Sequence, residues 1–144
     1  MPRSSTADLL ERIMVAGVAI TTRALSEAQP ALALTFPQWR ALLVVGERPE
    51  GARVGEVAAR VGVTLPATRR LLRRLAARGL LEISTDESDR RASRARLTTA
   101  GSQARDAILA YRRQRIVETL RGTQLEPSTR AELNRLADAF DAHR

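Results

Sequence analysis

The spacing of apolar positions predicts six helices and one small β-hairpin. From Ala7 to Ala28, Leu9, Leu10, Ile13, Met14, Val15, Val18, Ile20 and Leu25 cover more than one face of a helix, so that helix needs cover on more than one side. Pro30 breaks it. Thr35 and Gln38 then form a capping box for a helix from Phe36 to about Gly46, with Pro37 in its first turn and Trp39, Leu42, Leu43 and Val45 on its apolar side. A short helix follows from Val54, burying Val57, Ala58 and Val61 and closed by Gly62. The next runs from Leu65 to Arg78, capped by Thr64, with Pro66 in its first turn and Gly79 as its stop. Its apolar arc is Leu65, Thr68, Leu71, Leu72 and Leu75. Leu80–Ser84 and Arg94–Leu97 read as two strands joined by the polar loop 85–93, and Arg53-Val54 is placed for a minimal third strand. Thr98 caps a long helix from Thr99 to about Leu120, carrying Ala104, Ile108, Tyr111, Ile116, Val117 and Leu120. Gly122 ends it, and Pro127 opens a last helix with Leu133, Leu136, Ala137 and Phe140 on one side.

Two of these helices meet at a tight turn, Gly62-Val63, and the second presents Arg69, Arg70, Arg73 and Arg74 within one arc, opposite its apolar side. That is a helix-turn-helix with a basic second helix, followed by a wing. A surface helix built for solubility mixes charge signs, whereas this one holds no acid. Like charges one turn apart repel, and a polyanion removes that cost.

Composition sharpens this picture. The chain of 144 residues is long enough for one domain with a real core, and its formal net charge of +8 points to a polyanionic partner. Every one of its 24 basic residues is arginine, the side chain suited to bidentate contact with phosphate and guanine. The uncharged run Ile13–Thr22 is too short to cross a bilayer, and no secretory signal precedes it, so a cytoplasmic protein is expected. With no cysteine, and His143 as the lone histidine, thiol redox sensing and metal or cofactor binding are not expected. Nor is enzymatic chemistry, since the chain lacks a nucleophile with a base and a glycine-rich phosphate loop.

Several segments together resemble the MarR family of winged helix-turn-helix transcriptional regulators: Leu34-Thr35-Phe36-Pro37-Gln38-Trp39-Arg40-Ala41-Leu42, Val57-Ala58, Gly79-Leu80-Leu81, and above all Asp86-Glu87-Ser88-Asp89-Arg90-Arg91 with Leu97-Thr98-Thr99-Ala100-Gly101. The resemblance implies a mainly α fold with a small β wing. It implies an N-terminal dimerisation helix (1–30), a winged helix-turn-helix domain (31–100) and C-terminal dimerisation helices (101–144). It further implies a homodimeric repressor that reads a pseudo-palindromic operator in double-stranded DNA, with the recognition helix in the major groove and the wing in the minor groove. Thr64, Leu65, Pro66, Ala67, Arg69 and Arg70 then stand at the groove-facing start of the helix, Arg73 and Arg74 on phosphate, and Arg90 and Arg91 at the wing tip. Asp86 and Asp89 shape the wing, Asp89 by pairing with an arginine. Ile20, Trp39, Leu43 and Tyr111 line a pocket for a small aromatic or phenolic effector. Two departures from the family pattern are Arg69, where Ser or Thr is usual, and Arg94-Ala95, which replaces larger aliphatic residues and predicts a loosely packed wing. Charge alone also fits a nonspecific architectural nucleic-acid-binding protein. An adaptor that kept the fold and lost DNA binding fits less well, because the arginine face survives.

Overall fold

The computed structural model describes residues 5–89 and 91–142. Its elements, in chain order, are α1 (Thr6–Glu27), a 3-10 turn (Pro30–Leu32), α2 (Phe36–Val45), β1 (Ala52–Arg53), α3 (Val54–Val61), α4 (Leu65–Ala77), β2 (Leu81–Thr85), β3 (Ser93–Leu97), α5 (Thr99–Thr119) and α6 (Pro127–Asp141). The chain forms two compact units, one ending at Arg113 and the other beginning at Gln114.

Helix starts follow local chemistry closely. Thr35 accepts from the Gln38 N–H while Gln38 accepts from the Thr35 N–H, the reciprocal box expected for α2. Ser5 and Asp8 do the same for α1, a cap that apolar spacing alone did not reveal. The Thr64 hydroxyl accepts from the Ala67 N–H at the start of α4.

In the first unit the core is built where α2, α3, α4, the sheet and the start of α5 converge. Leu42, Val45, Val57, Leu72, Leu75, Ala95 and Ile108 are fully enclosed. Thr68 is buried with them because its hydroxyl bonds back to the Thr64 carbonyl, so that its polar atom is satisfied inside its own helix. Leu65 departs from expectation. It belongs by angle to the apolar arc but lies 42% exposed, because the first turn of α4 projects beyond the bundle.

The sheet has order β1-β3-β2, all antiparallel. Its outer strand is Ala52–Arg53 rather than Arg53-Val54, since Val54 already opens α3 and Arg53 is that helix's extended N-cap residue. Ala95 sits at the centre, facing Ala52 on one side and Ile83 on the other, with no exposed surface. The expectation of a loose wing is therefore overturned. A small residue at position 95 suits a close approach, and a Cβ added to Gly51 would stand 2.0 Å from the Ala95 carbonyl oxygen.

The Leu-Thr-x-x-Gly sequence also has a physical explanation. The Thr98 hydroxyl donates to the Gly79 carbonyl at 2.6 Å and accepts the Gly101 N–H at 3.0 Å, joining the end of α4 to the start of α5. Gly101 packs so tightly that a Cβ there would lie 2.0 Å from the Leu80 carbonyl oxygen. Only hydrogen fits.

In the second unit α6 opens at Pro127 as expected, yet none of its residues is buried. Among the described residues no helix is long and apolar enough to cross a membrane.

Candidate nucleic-acid interface

The exposed side of α4 is the most basic stretch of the described surface. Thr68, Leu72 and Leu75 turn inward, which leaves Arg69, Arg70, Arg73 and Arg74 exposed. None of the four side chains makes a hydrogen bond or ion pair among the described residues, and Thr64, Leu65 and Pro66 are exposed beside them, with Ala67 partly buried. Several other arginines are engaged. Arg40 donates to the Arg60 carbonyl, Arg78 to the Leu32 carbonyl, Arg105 to the Gly46 carbonyl and Arg96 to the Glu50 carbonyl, while Arg60 pairs with Glu47. So the basic residues divide into those that hold the fold and those that face outward.

Two surface notches flank α4. On the wing side a notch of about 330 Å³ is lined by Arg53, Leu65, Arg69, Arg91 and the start of α3. On the opposite side a notch of about 300 Å³ is lined by Thr35 and Gln38 of α2 together with Ala67, Arg70 and Arg74. Arg73 lines neither.

The wing is fixed by one carboxylate. Asp86 is 2% exposed. It accepts the Ser88 hydroxyl at 2.6 Å and the Ser88 N–H at 2.9 Å, the Arg53 Nε at 2.8 Å, and Arg94 Nη2 and Nε at 3.0 and 3.2 Å. The Ser88 and Arg53 hydrogen bonds hold this carboxyl well below the usual carboxylate range, and the same pairing raises Arg53. The arginine partner expected for Asp89 thus belongs to Asp86. Asp89 accepts the Arg91 backbone N–H at 3.0 Å instead, closing the turn that leaves Arg91 exposed at its tip. Arg90 lies outside the described residues.

The four residues expected to line a pocket lie at or near the core of the first unit. Trp39 is 3% exposed, in edge-on contact with Phe36 at 5.9 Å, while Leu43 and Tyr111 pack against the core and Ile20 is half-buried. The Tyr111 hydroxyl bonds to Glu27. A residue missed in the sequence, Arg112, lies over the Trp39 ring at 5.0 Å, and burial lowers its guanidinium below the usual arginine range. Trp39 Nε1 and Arg112 Nε are both buried without a hydrogen-bond partner among the described residues. No sequence signal linked Arg112 to Trp39.

Comparison with known proteins now bears on this geometry. Residues 34–92, which span α2 to the wing, match the MarR family. The winged helix-turn-helix is therefore similar to that of the MarR family. No curated protein sequence matches the chain significantly. Solved structures share the fold over nearly the whole length. A MarR-family transcriptional regulator from Rhodococcus sp. RHA1 superposes with a TM-score of 0.69 at 19% identity, covering 97% of this chain and 96% of that one. CouR from Rhodococcus jostii RHA1, bound to p-coumaroyl-CoA, gives 0.67 at 22% identity with 97% and 94% covered. A MepR mutant from S. aureus, bound to an oligodeoxyribonucleotide, gives 0.61 at 20% identity with 98% and 100% covered. In this shared fold α4 is the second helix of the helix-turn-helix and the β2–β3 hairpin is the wing.

Proposed function

We propose that the protein is a sequence-specific, double-stranded DNA-binding transcriptional regulator that acts as a homodimeric repressor on a pseudo-palindromic operator. The observation that carries this reading is the row of four unpaired, exposed arginines on α4, beside a wing braced through Asp86 and tipped by Arg91. A helix about 10–12 Å across fits a major groove about 12 Å wide, and a wing alongside it reaches the neighbouring minor groove. The MepR mutant's oligodeoxyribonucleotide complex supports the same use of the fold. Exposed Leu9, Ile13, Met14, Val15 and Val18 on α1 give the first unit an apolar surface for a second copy. Ile116, Val117, Leu120, Leu133 and Phe140 give the second unit another. In the dimer the two α4 helices stand about 34–36 Å apart, one DNA turn.

A small aromatic effector that releases DNA is the regulatory half of the reading. Its support is the pair of unpartnered N–H groups on Trp39 and Arg112, whose burial costs free energy until an acceptor oxygen meets them, together with the p-coumaroyl-CoA bound by CouR. Ligand and DNA must then weaken each other by the same factor.

The deciding measurement compares affinity for the DNA upstream of the protein's own gene with affinity for an unrelated duplex at one salt concentration. A ratio of at least about 10³ is expected, and a ratio near one would make the protein an architectural binder. Titrating salicylate-like compounds against Trp39 fluorescence, with and without that DNA, tests the effector. Absence of any quench together with unchanged DNA affinity would remove it.

A further inference from the structure

One arginine at the end of α4 stands apart from its exposed row. Arg78, the C-cap residue, donates through Nη2 to the Leu32 carbonyl, in the 3-10 turn that joins α1 to α2. The residue after that carbonyl is the one non-glycine residue of the described chain in the left-handed region. Ala33 has φ 43° and ψ 49°, whereas the other positive-φ positions are Gly51, Gly62, Gly79 and Gly122. A Cβ makes this conformation costly, and such an outlier persists only where its surroundings fix it.

The surroundings here can be named. Leu32 packs against the core and Leu34, one residue beyond Ala33, is buried in it, so the chain is anchored on both sides. Between those anchors, the freedom left is rotation of the Leu32–Ala33 peptide. In its observed orientation the N–H donates to the Pro30 carbonyl at 3.2 Å, closing the 3-10 turn, and the carbonyl accepts from Arg78. Turning that peptide over carries Ala33 to a negative φ and relieves its strain, but breaks both bonds and opens the turn. Arg78 therefore opposes the relaxation that Ala33 favours. The turn matters because of what precedes it: only Thr21, Ala24 and Leu25 of α1 are buried, so that helix joins the first unit through its last turns and leaves Leu9, Ile13, Met14, Val15 and Val18 outside. We infer that Arg78 is a positioning residue: by holding the Leu32 carbonyl it keeps the turn closed and fixes α1 relative to α4, and in the dimer this sets the half-site spacing that the two α4 helices accept. This rests on the homodimeric DNA-binding reading.

Moving a half-site by one base pair displaces it by about 3.4 Å and roughly 34°, so a rigid dimer discriminates between neighbouring spacings and a loosened one does not. The test takes full-length protein and the site it selects from random duplexes, rebuilt with its half-sites one or two base pairs closer or farther apart. Wild type should prefer one spacing. Arg78→Met, which keeps the stem and loses the donors, and Arg78→Ala should each cut that preference about tenfold, the low end for one hydrogen bond from a charged group, and leave the salt slope unchanged. Arg78→Lys retains a charged donor and should keep most of the preference. Adding Ala33→Gly to Arg78→Met should restore part of it, because glycine holds the left-handed conformation without the penalty; a role in stability alone predicts no such rescue. Arg78 and Ala33 are both exposed, thermal unfolding curves identify the variants that fold, and Arg78→Met carries the comparison if Arg78→Ala does not fold. A variant spacing profile that matches wild type, or a loss that Ala33→Gly does not rescue, overturns the inference while the DNA-binding reading stands. So does a salt slope shallower by about 2, which would make Arg78 a phosphate contact in each chain. A wild type indifferent to spacing removes the homodimeric reading and the inference with it.

Discussion

The salt dependence of DNA binding can be worked out from which arginines are already occupied. Arg40, Arg78, Arg96 and Arg105 hold backbone carbonyls, Arg60 pairs with Glu47, and Arg53 and Arg94 meet on Asp86, so these charges have little left for phosphate. Arg69, Arg70, Arg74 and Arg91 are exposed beside the two notches that flank α4, which on the proposed DNA-binding reading makes four phosphate contacts per chain and eight per dimer. At about −0.9 per neutralised phosphate, log K should fall against log[salt] with a slope near −7, or about 10⁴-fold in affinity between roughly 50 and 200 mM salt. Counting the net charge of +8 on each chain instead would give about −14. The assay is fluorescence anisotropy of a labelled operator duplex across that range. Arg74→Ala removes two contacts from the dimer and should bring the slope to about −5, while Arg96→Ala, whose guanidinium is held by the Glu50 carbonyl, should leave it near −7. A wild-type slope shallower than about −3, or equal changes in the two variants, would refute the division into structural and DNA-facing arginines.

Other expected outcomes concern the parts that carry this surface. Asp86→Asn should leave the core folded but free the wing, seen as faster hydrogen exchange at Asp86 to Ala92 and weaker operator binding than the Arg91→Ala variant shows. Because the folded Asp86 carboxyl is depressed, its contribution is complete above about pH 4, the unfolded value, and is lost only as pH falls through the lower folded one; wing exchange should therefore be flat from pH 5 to 8, roughly the working range. Gly101→Ala forces a Cβ into the Leu80 carbonyl and should cost about 1–3 kcal/mol in denaturant unfolding, whereas Gly122→Ala, with nothing near its Cβ position, should be limited to the strain of its φ of +79°. Ile13→Asp on the exposed face of α1 should shift the protein from dimer toward monomer or aggregate in light scattering; an unchanged dimer would place the interface elsewhere.

Elements set by local rules were legible in the sequence. Thr35 with Gln38, Thr64, Pro66 and Gly79 fix helix ends through bonds only three or four residues long, and the predicted bounds of α2 and α4 agree with the structure to one residue. Contacts distant in sequence were not legible. Nothing local distinguishes Arg94, which reaches the buried Asp86, from Arg91, which stays outside, because the difference depends on β3 bringing one of them beside β1. For the same reason nothing in the sequence tied Arg112 to Trp39, which α5 sets beside it. Leu65 shows the converse error: its angular position was read correctly, but a helical wheel does not know where the neighbouring elements stop.

The Thr98 junction leaves no slack between two helices of different task. Its hydroxyl grips the Gly79 carbonyl, its N–H meets the Leu80 carbonyl at 3.2 Å, and the Leu80 N–H returns to Leu75 at 3.0 Å. The end of α4, Thr98 and the first turn of α5 are therefore one rigid piece, and a tilt of that first turn is a tilt of α4, not a signal relayed to it. The amides of Leu80, Thr98 and Gly101 should accordingly exchange with a single opening free energy, as one cooperative unit.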